Sequence, residues 1–318
     1  MSSTAVAEVP VMIDLDAFVG SELVDRKESG KLRPWVGRRV QATQFADRLQ
    51  AVHDTVDPDD RRYTLTEKHL KAVHECGNFL EYNLWSDGVK KLHRANFCRE
   101  RLCPMCAWRL SLKNMSNLSK ILSLAVKRQP KAKFVFLTLT EKNCDLNDLH
   151  SVMVEQSKAL KRLSKYKAFT QSVLGFVRTT EITVNRKTMA FHPHIHLLLM
   201  VKPSYFKKTY IKKSEWIAMW RKARQLDYDP SISVERVKPS AKDPSLTAAA
   251  KEVAKYQVKP AGYLTDNFDE DVEIIDKLRD GIFHSRLLSY GGLLGDCRHD
   301  LGIAEKVEDQ DLVHADDE

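Results

Sequence analysis

The stretch Phe191-His192-Pro193-His194-Ile195-His196-Leu197-Leu198-Leu199-Met200-Val201 predicts a buried β-strand. Its apolar residues first alternate with polar ones and then run without interruption over about ten residues, as in a buried strand. Because side chains on a strand alternate between its two faces, we expect His194 and His196 on one face and Ile195 on the other. The sequence therefore places two imidazoles side by side on a rigid element.

Two neighbouring imidazoles form half of a metal site, since neutral imidazole is a common ligand for divalent metals. Glu181 is the candidate third ligand, on a strand that a hairpin turn at 185–187 would pair with the histidine strand. A set of two histidines and one carboxylate leaves coordination positions open for a phosphate oxygen and water. The alternatives are histidines satisfied within the core and an ordinary surface glutamate.

Cysteines predict a second metal site. Cys98, Cys103 and Cys106 fall within nine residues, and the Cys-Pro-Met-Cys step is a tight knuckle able to place two thiolates on one zinc ion. Cys76 is the best candidate for a fourth ligand, with His93 as the runner-up. The alternatives are buried free cysteines and a redox dithiol.

Charge and composition favour a nucleic-acid partner. The 318 residues carry a net charge of +8, although the last sixteen residues hold seven acids and one lysine. A basic body with an acidic tail is typical of proteins that bind polyanions. The N-terminus lacks the features of a secretory signal, and no apolar run approaches the ~18–20 residues of a membrane span. We therefore expect a cytoplasmic protein without membrane association.

The order of strand-like and helix-like segments predicts an α+β fold, with an antiparallel sheet of about five strands covered by helices on one side. We divide the chain into an irregular N-terminal region (1–62), a helical region with the cysteine knuckle (63–130), the sheet domain (131–265) and a C-terminal region with an acidic disordered tail (266–318). Within the second region, residues 63–83 are predicted to form a helix.

Three motifs in order resemble those of rolling-circle plasmid replication initiators (Rep proteins) of the HUH endonuclease superfamily, in the group that pairs one tyrosine with a glutamate. The matching segments are Phe136–Thr140, His192–His196 and Glu252–Tyr256, together with the upstream signature Phe97–Arg109. The resemblance covers roughly residues 76–263 and implies that the sheet domain is an HUH-type nickase.

The resemblance implies a reaction in which Tyr256 attacks a phosphodiester at the origin, giving a 5′-phosphotyrosine link and a free 3′-hydroxyl. Glu252 resembles the general base that activates water for the second cleavage. A helix predicted over 246–259 would put Glu252 and Tyr256 on one face, with Lys259 nearby to ionise the phenol or grip phosphate. The expected catalytic cation is Mg²⁺ or Mn²⁺.

The resemblance also implies origin DNA as the substrate and a host helicase and polymerase as partners. Two residues remain open: Tyr263, which two-tyrosine relatives would use, and His192, which shares the face of the other histidines. Alternative functions are a conjugative relaxase or single-strand transposase with the same chemistry, a zinc-containing DNA-binding regulator without catalysis, and a metal-dependent hydrolase of small molecules.

Overall fold

The computed structural model describes residues 9–14, 32–55, 65–84, 90–237, 246, 250, 253–254, 258–304 and 312–313. The chain forms two compact units. The first unit comprises Met1–Ser116, Tyr263–Asp276 and Lys306–Glu318, and the second comprises Asn117–Gly262 and Lys277–Glu305.

The first unit contains a three-stranded antiparallel sheet of β1 (Val9–Asp14), β2 (Phe79–Leu84) and β3 (Lys90–Ala95), with β2 in the middle. Its helices include α1 (Trp35–Thr55), α2 (Glu67–His74) and the N-terminal part of α3 (Pro104–Arg128). Helix α2 begins at Thr66, whose hydroxyl accepts a hydrogen bond from the His69 amide and so satisfies one of the free N–H groups of the first turn.

The sequence predictions are wrong in parts of this unit. The region 1–62, predicted as irregular, contains β1 and the 21-residue helix α1. Arg39 interrupts the apolar spacing of α1: it lies on the buried face and donates to the His74 carbonyl at 2.6 Å. The helix predicted over 63–83 ends at His74, because Gly77 takes a left-handed φ of +73° and β2 follows.

The acidic tail predicted as disordered is packed and buried at Leu312 and Val313. Arg109 in α3 is itself fully buried, and its guanidinium donates to the carbonyls of both residues at 2.8 Å. The same guanidinium lies 5.1 Å from the ring centre of Trp35. Leu312 and Val313 are therefore an apolar pair that packs within the first unit, although the segment that contains them is acidic.

The second unit is built on an antiparallel sheet with the strand order β8-β4-β7-β6-β9, in which β5 also pairs with β7. The strands are β4 (Lys133–Leu139), β5 (Cys144–Asp145), β6 (Val173–Asn185), β7 (Ala190–Val201), β8 (Ile232–Val237) and β9 (Leu288–Gly292). The α+β class and the antiparallel sheet are confirmed, and the described residues contribute six strands to it where the sequence predicts about five.

Helices cover both faces of this sheet, whereas the sequence predicts one covered face. The remaining helices are α4 (Leu149–Leu163), α5 (Lys167–Ser172), α6 (Lys213–Arg224), α7 (Phe268–Ile282), which spans the boundary between the units, and α8 (Leu293–Asp300). One face packs against α4, α5 and α6, and the other against the C-terminal part of α3 and α8. The uninterrupted apolar end of β7 requires this arrangement, because both faces of the strand are buried there.

The β6–β7 hairpin sets the register of the histidine strand. Its turn falls at 186–189, close to the predicted 185–187, and brings Glu181 directly opposite His194. On its other edge, β7 pairs with β4, where Thr138 lies opposite His196. Among the described residues, none of the helices has the length and apolar character needed to span a bilayer.

Candidate functional site

The histidine strand brings three metal-binding side chains together. Glu181, His194 and His196 each offer one donor atom, and these atoms all lie within 4.8 Å of one another. Their side chains are only 12–13% exposed, so the group forms a recessed patch on the sheet. The structure thus brings together the three predicted ligands.

The distances fit one divalent cation. Glu181 Oε2 lies 3.0 Å from His196 Nε2 and 3.5 Å from His194 Nε2. Adjacent ligand atoms around an octahedral cation with bonds of ~2.1 Å are about 3.0 Å apart. Glu181 therefore lies at about the spacing of a neighbouring ligand from each imidazole, and the rest of a coordination sphere would be left to water or substrate oxygens.

Each imidazole ring is oriented by a hydrogen bond at Nδ1, the ring nitrogen on the side away from Glu181. His194 Nδ1 donates to its neighbour's carbonyl, the His192 oxygen, at 3.2 Å, and His196 Nδ1 lies 3.1 Å from Thr138 Oγ1. A carbonyl only accepts, so Nδ1 of His194 carries a hydrogen. Such outer contacts set the tautomer and direction of metal-binding histidines. Thr138 belongs to the first of the sequence motifs, which explains its proximity to the second.

Glu181 stays ionised at this site. Burial raises its pKa, but hydrogen bonds with His194 and His196 and the ammonium of Lys259 outweigh burial and hold the pKa well below the usual range of a glutamate. Lys259 Nζ lies 3.0 Å from Glu181 Oε1, and the lysine side chain is 63% exposed. The site therefore holds an ionised carboxylate next to an exposed ammonium group.

Lys259 reaches the site by a route that differs from the predicted one. The helix predicted over 246–259 does not extend to Val258, which forms an isolated parallel bridge with Ile182 of β6. Pro260 disfavours helical backbone in the residue before it, and β-branched Val258 suits an extended pairing. The backbone thus passes alongside β6 and carries Lys259 to Glu181. Glu252 and Tyr256 lie outside the described residues.

The two residues left open by the sequence have different surroundings. Tyr263 is fully buried, donates its hydroxyl to the Leu102 carbonyl at 2.5 Å and packs edge-on against Phe45. His192 is not part of the close donor group, and its buried Nδ1 has no hydrogen-bond partner within the described part of the chain. Burial and the nearby His194 lower the pKa of His192. Tyr263 is thus a packing residue of the first unit.

The four predicted cysteines form a second group, within the first unit. The separations between Sγ atoms are 3.4 Å for Cys76 and Cys106, 3.6 Å for Cys98 and Cys106, and 3.6 Å for Cys76 and Cys103. Four sulfurs at ~2.3 Å from a tetrahedral zinc are about 3.8 Å apart, so this cluster needs little movement to bind the ion. The runner-up His93 is not in the group.

Local backbone geometry shapes this cluster. The amide of Cys98 donates to Cys76 Sγ at 3.4 Å, and the amide of Arg99 donates to Cys106 Sγ at 3.2 Å, helped by a left-handed φ of 62° at Arg99. Hydrogen bonds from Cys103, Cys106 and Cys98 hold the pKa of Cys76 well below that of a free thiol. Hydrogen bonds, first with Cys103, together with burial raise the pKa of Cys98 and Cys106, which opposes the formation of further thiolates. A bound cation removes that obstacle.

Comparisons with known proteins identify the family. The family model described as "Replication protein" matches residues 89–318. This chain belongs to that family, the rolling-circle plasmid replication initiators. The initiator is 39% identical to "Protein rep" of Lactiplantibacillus plantarum, over 92% of its own length and 90% of the relative's. The initiator is also 37% identical to "Protein rep" of Lentilactobacillus hilgardii, over 93% of its own length and 90% of the relative's. No solved structure matches the initiator significantly.

The family assignment agrees with the resemblance found in the motifs. The matched region contains the histidine site and three of the four clustered cysteines, and the alignment with a third relative, "Protein rep" of Streptococcus pneumoniae serotype 2 (35% identical), covers 93% of the initiator. A plasmid replication initiator acts at an origin, so DNA is its binding partner. Sequence reasoning missed the polar side chains that contact β7 from the face opposite the imidazoles, because these residues belong to none of the sequence motifs.

Proposed function

We propose that this initiator nicks one strand of its plasmid origin through Tyr256, with a divalent cation held by Glu181, His194 and His196. The observation that carries the proposal is the convergence of these three donor atoms within 4.8 Å in a member of the replication protein family. A carboxylate and two imidazoles with open positions suit an ion that must also contact a phosphate.

The nick is a transfer of a phosphoryl group from the DNA to the protein. The phenolate oxygen of Tyr256 forms a bond to phosphorus, and the bond between phosphorus and the 3′-oxygen breaks. The 3′-oxygen takes up a proton and leaves as a hydroxyl that primes synthesis, while the 5′-phosphate stays linked to the tyrosine. A phenol has a pKa of ~10, so positive charge nearby favours the reactive form.

Two kinds of positive charge serve this step. A divalent cation bound by the three ligands supplies charge that stabilises the oxygens of the scissile phosphate. Mg²⁺ and Mn²⁺ are the candidates, with manganese the better match to two imidazoles. The exposed ammonium of Lys259, which pairs with Glu181 in the structure, is free to swing toward the phosphate or the phenol.

The position of Tyr256 in the sequence supports its role. It precedes Val258 by two residues, and Val258 lies beside Ile182, the neighbour of Glu181 in β6. Tyr263 is a poor alternative nucleophile because it is fully buried and its hydroxyl is bonded to Leu102. With Tyr263 set aside as a second nucleophile, Glu252 is proposed as the general base that activates water for the second cleavage.

The cysteine cluster is proposed to hold a structural zinc ion. All four ligands are thiolates, the mode that zinc uses in closed sites, and three of them are fully or almost fully buried. The ion would join the end of α2, the segment after β3 and the start of α3. Origin DNA is the substrate, and a host helicase and polymerase are the proposed partners after nicking.

The test is a nicking assay on labelled single-stranded DNA carrying the origin sequence, with Mn²⁺ present. Wild-type protein is expected to form a protein–DNA species that resists denaturation, and Tyr256→Phe is expected to bind the DNA without forming it. Tyr210→Phe is the matched control, because Tyr210 is 52% exposed and on a surface loop of the second unit. A normal covalent species in Tyr256→Phe contradicts the assignment, and none in wild type favours a non-catalytic regulator.

A further inference from the structure

The edge of β7 that faces β4 and β5 has a gap at the metal-binding histidines. Pairing with β4 ends at Ile195, opposite Leu139, and pairing with β5 begins at Phe191, opposite Cys144. Residues 192–194 of β7 therefore have partners in β6 and none in β4 or β5. A strand that lacks a neighbour on one edge is held less firmly there, because its backbone groups need other partners.

A buried side chain fills this gap. Gln156 of α4 is 1% exposed, and its Nε2 donates to the Pro193 carbonyl at 2.9 Å. Proline has no N–H, so the carbonyl is the only backbone group of Pro193 that requires a hydrogen bond. Helix α4 packs on the face of the sheet opposite the imidazoles, so Gln156 supports the strand from the side away from the metal site.

The amide of Gln156 is itself held in one orientation. Its Nε2 also donates to Glu141 Oε1 at 2.6 Å, and Glu141 Oε2 lies 2.9 Å from Arg224 Nε of α6. Both partners of Nε2 are acceptors, so a reversed amide would face oxygen against oxygen. The arrangement persists although Oε1 of Gln156 is buried without a partner in the described part of the chain, which is unfavourable for a polar atom.

The geometry points to Gln156 as a positioning residue for the metal site, with Glu141 and Arg224 fixing its amide. Pro193 lies between His192, whose carbonyl accepts from the His194 ring, and His194 itself. A shift of the strand at Pro193 therefore moves the His194 ring relative to Glu181 and His196. Gln156 touches neither the cation nor the DNA, and it acts through the backbone of β7. This inference rests on the proposed metal role of His194.

The test compares Mn²⁺ affinity in the full-length protein, measured from the electron paramagnetic resonance signal of free Mn²⁺ during titration. Gln156→Met keeps the length of the side chain without its donors, and we expect it to raise the Kd for Mn²⁺ about tenfold, as for other outer contacts of metal ligands. Gln156→Glu places a carboxylate against two acceptors and should raise the Kd further. Nicking by Gln156→Met should recover at high Mn²⁺ concentration.

Leu160→Ala is the control, since Leu160 is a buried residue of the same helix that packs in the core. It should lower the temperature of unfolding without changing the Kd. An unchanged Kd in Gln156→Met, or the same change in Leu160→Ala, overturns the positioning role, as does failure of both Gln156 variants to fold. If Mn²⁺ binding by the wild-type protein does not depend on His194, tested with His194→Ala, the proposed function fails instead.

Discussion

Replacing Thr138 by valine is a direct test of the histidine site, because it keeps the shape of the side chain and removes one hydrogen bond. Thr138 Oγ1 lies 3.1 Å from His196 Nδ1. Without the threonine hydroxyl, the ring of His196 loses the contact at Nδ1 that helps to hold its Nε2 toward Glu181, 3.0 Å away. The prediction is weaker binding of Mn²⁺, with the proposed nicking reaction falling in parallel at low Mn²⁺ concentration.

The expected size of the effect follows from the strength of a single hydrogen bond. Such a bond contributes ~0.5–1.5 kcal/mol net, and 1.4 kcal/mol is about a tenfold change in an equilibrium constant. His196 is 13% exposed, so water replaces the hydroxyl only in part. We therefore expect the Kd for Mn²⁺ to rise about three- to tenfold, the upper end meeting the range of outer contacts in other metal sites.

The assay is a titration with Mn²⁺ followed by the resonance signal of the free ion. Thr140→Val is the matched control, because Thr140 donates its hydroxyl to the Ser231 carbonyl at 2.6 Å rather than to a histidine. Thermal unfolding of both variants without metal separates a loss of affinity from a loss of stability. A Kd within twofold of the wild-type value in Thr138→Val, or an equal rise in Thr140→Val, would refute the reasoning.

Two further predictions concern the other proposed roles. Glu252→Ala should keep initial nicking and lose the release of circular single strands, both measured on a plasmid substrate. Unchanged release argues against a general base at this position. The control is Glu155→Ala, at a glutamate of α4 whose side chain is 38% exposed. Elemental analysis should find about one zinc ion per chain in the wild-type protein. Cys103→Ser should lose this zinc and unfold at a lower temperature, because structural zinc contributes to folding. Cys144→Ser, outside the cluster, should keep the metal, and zinc-free wild-type protein would refute the site.

The histidine site shows how far local sequence reasoning extends. His194 and His196 share a face because the backbone of a strand repeats every two residues. Glu181 follows from the same rule, because a short turn between two strands leaves little choice of register and sets it opposite His194. These positions depend on residues within about fifteen of one another, and no distant contact was needed to predict them.

Other features depend on contacts that no local pattern encodes. Gln156 looks like any polar residue of an amphipathic helix, and its importance appears only where α4 crosses the gap beside Pro193. Helix α1 was missed because Arg39 lies on its buried face, where the His74 carbonyl satisfies it. In each case a polar side chain is buried because it bonds a partner far away in the sequence. Periodicity alone predicts a surface position for such a residue.

The amino-acid sequence by itself determined which chemistry is present: a histidine strand with a glutamate opposite, a cysteine knuckle and a family of initiators. The tertiary structure decided which side chains meet across long separations, with Cys76 joining cysteines 22 to 30 residues away and Lys259 reaching Glu181 alongside β6 rather than from a helix. The physical reason is that covalent geometry sets the facing of nearby residues, whereas the path of a connecting segment depends on the packing of everything around it.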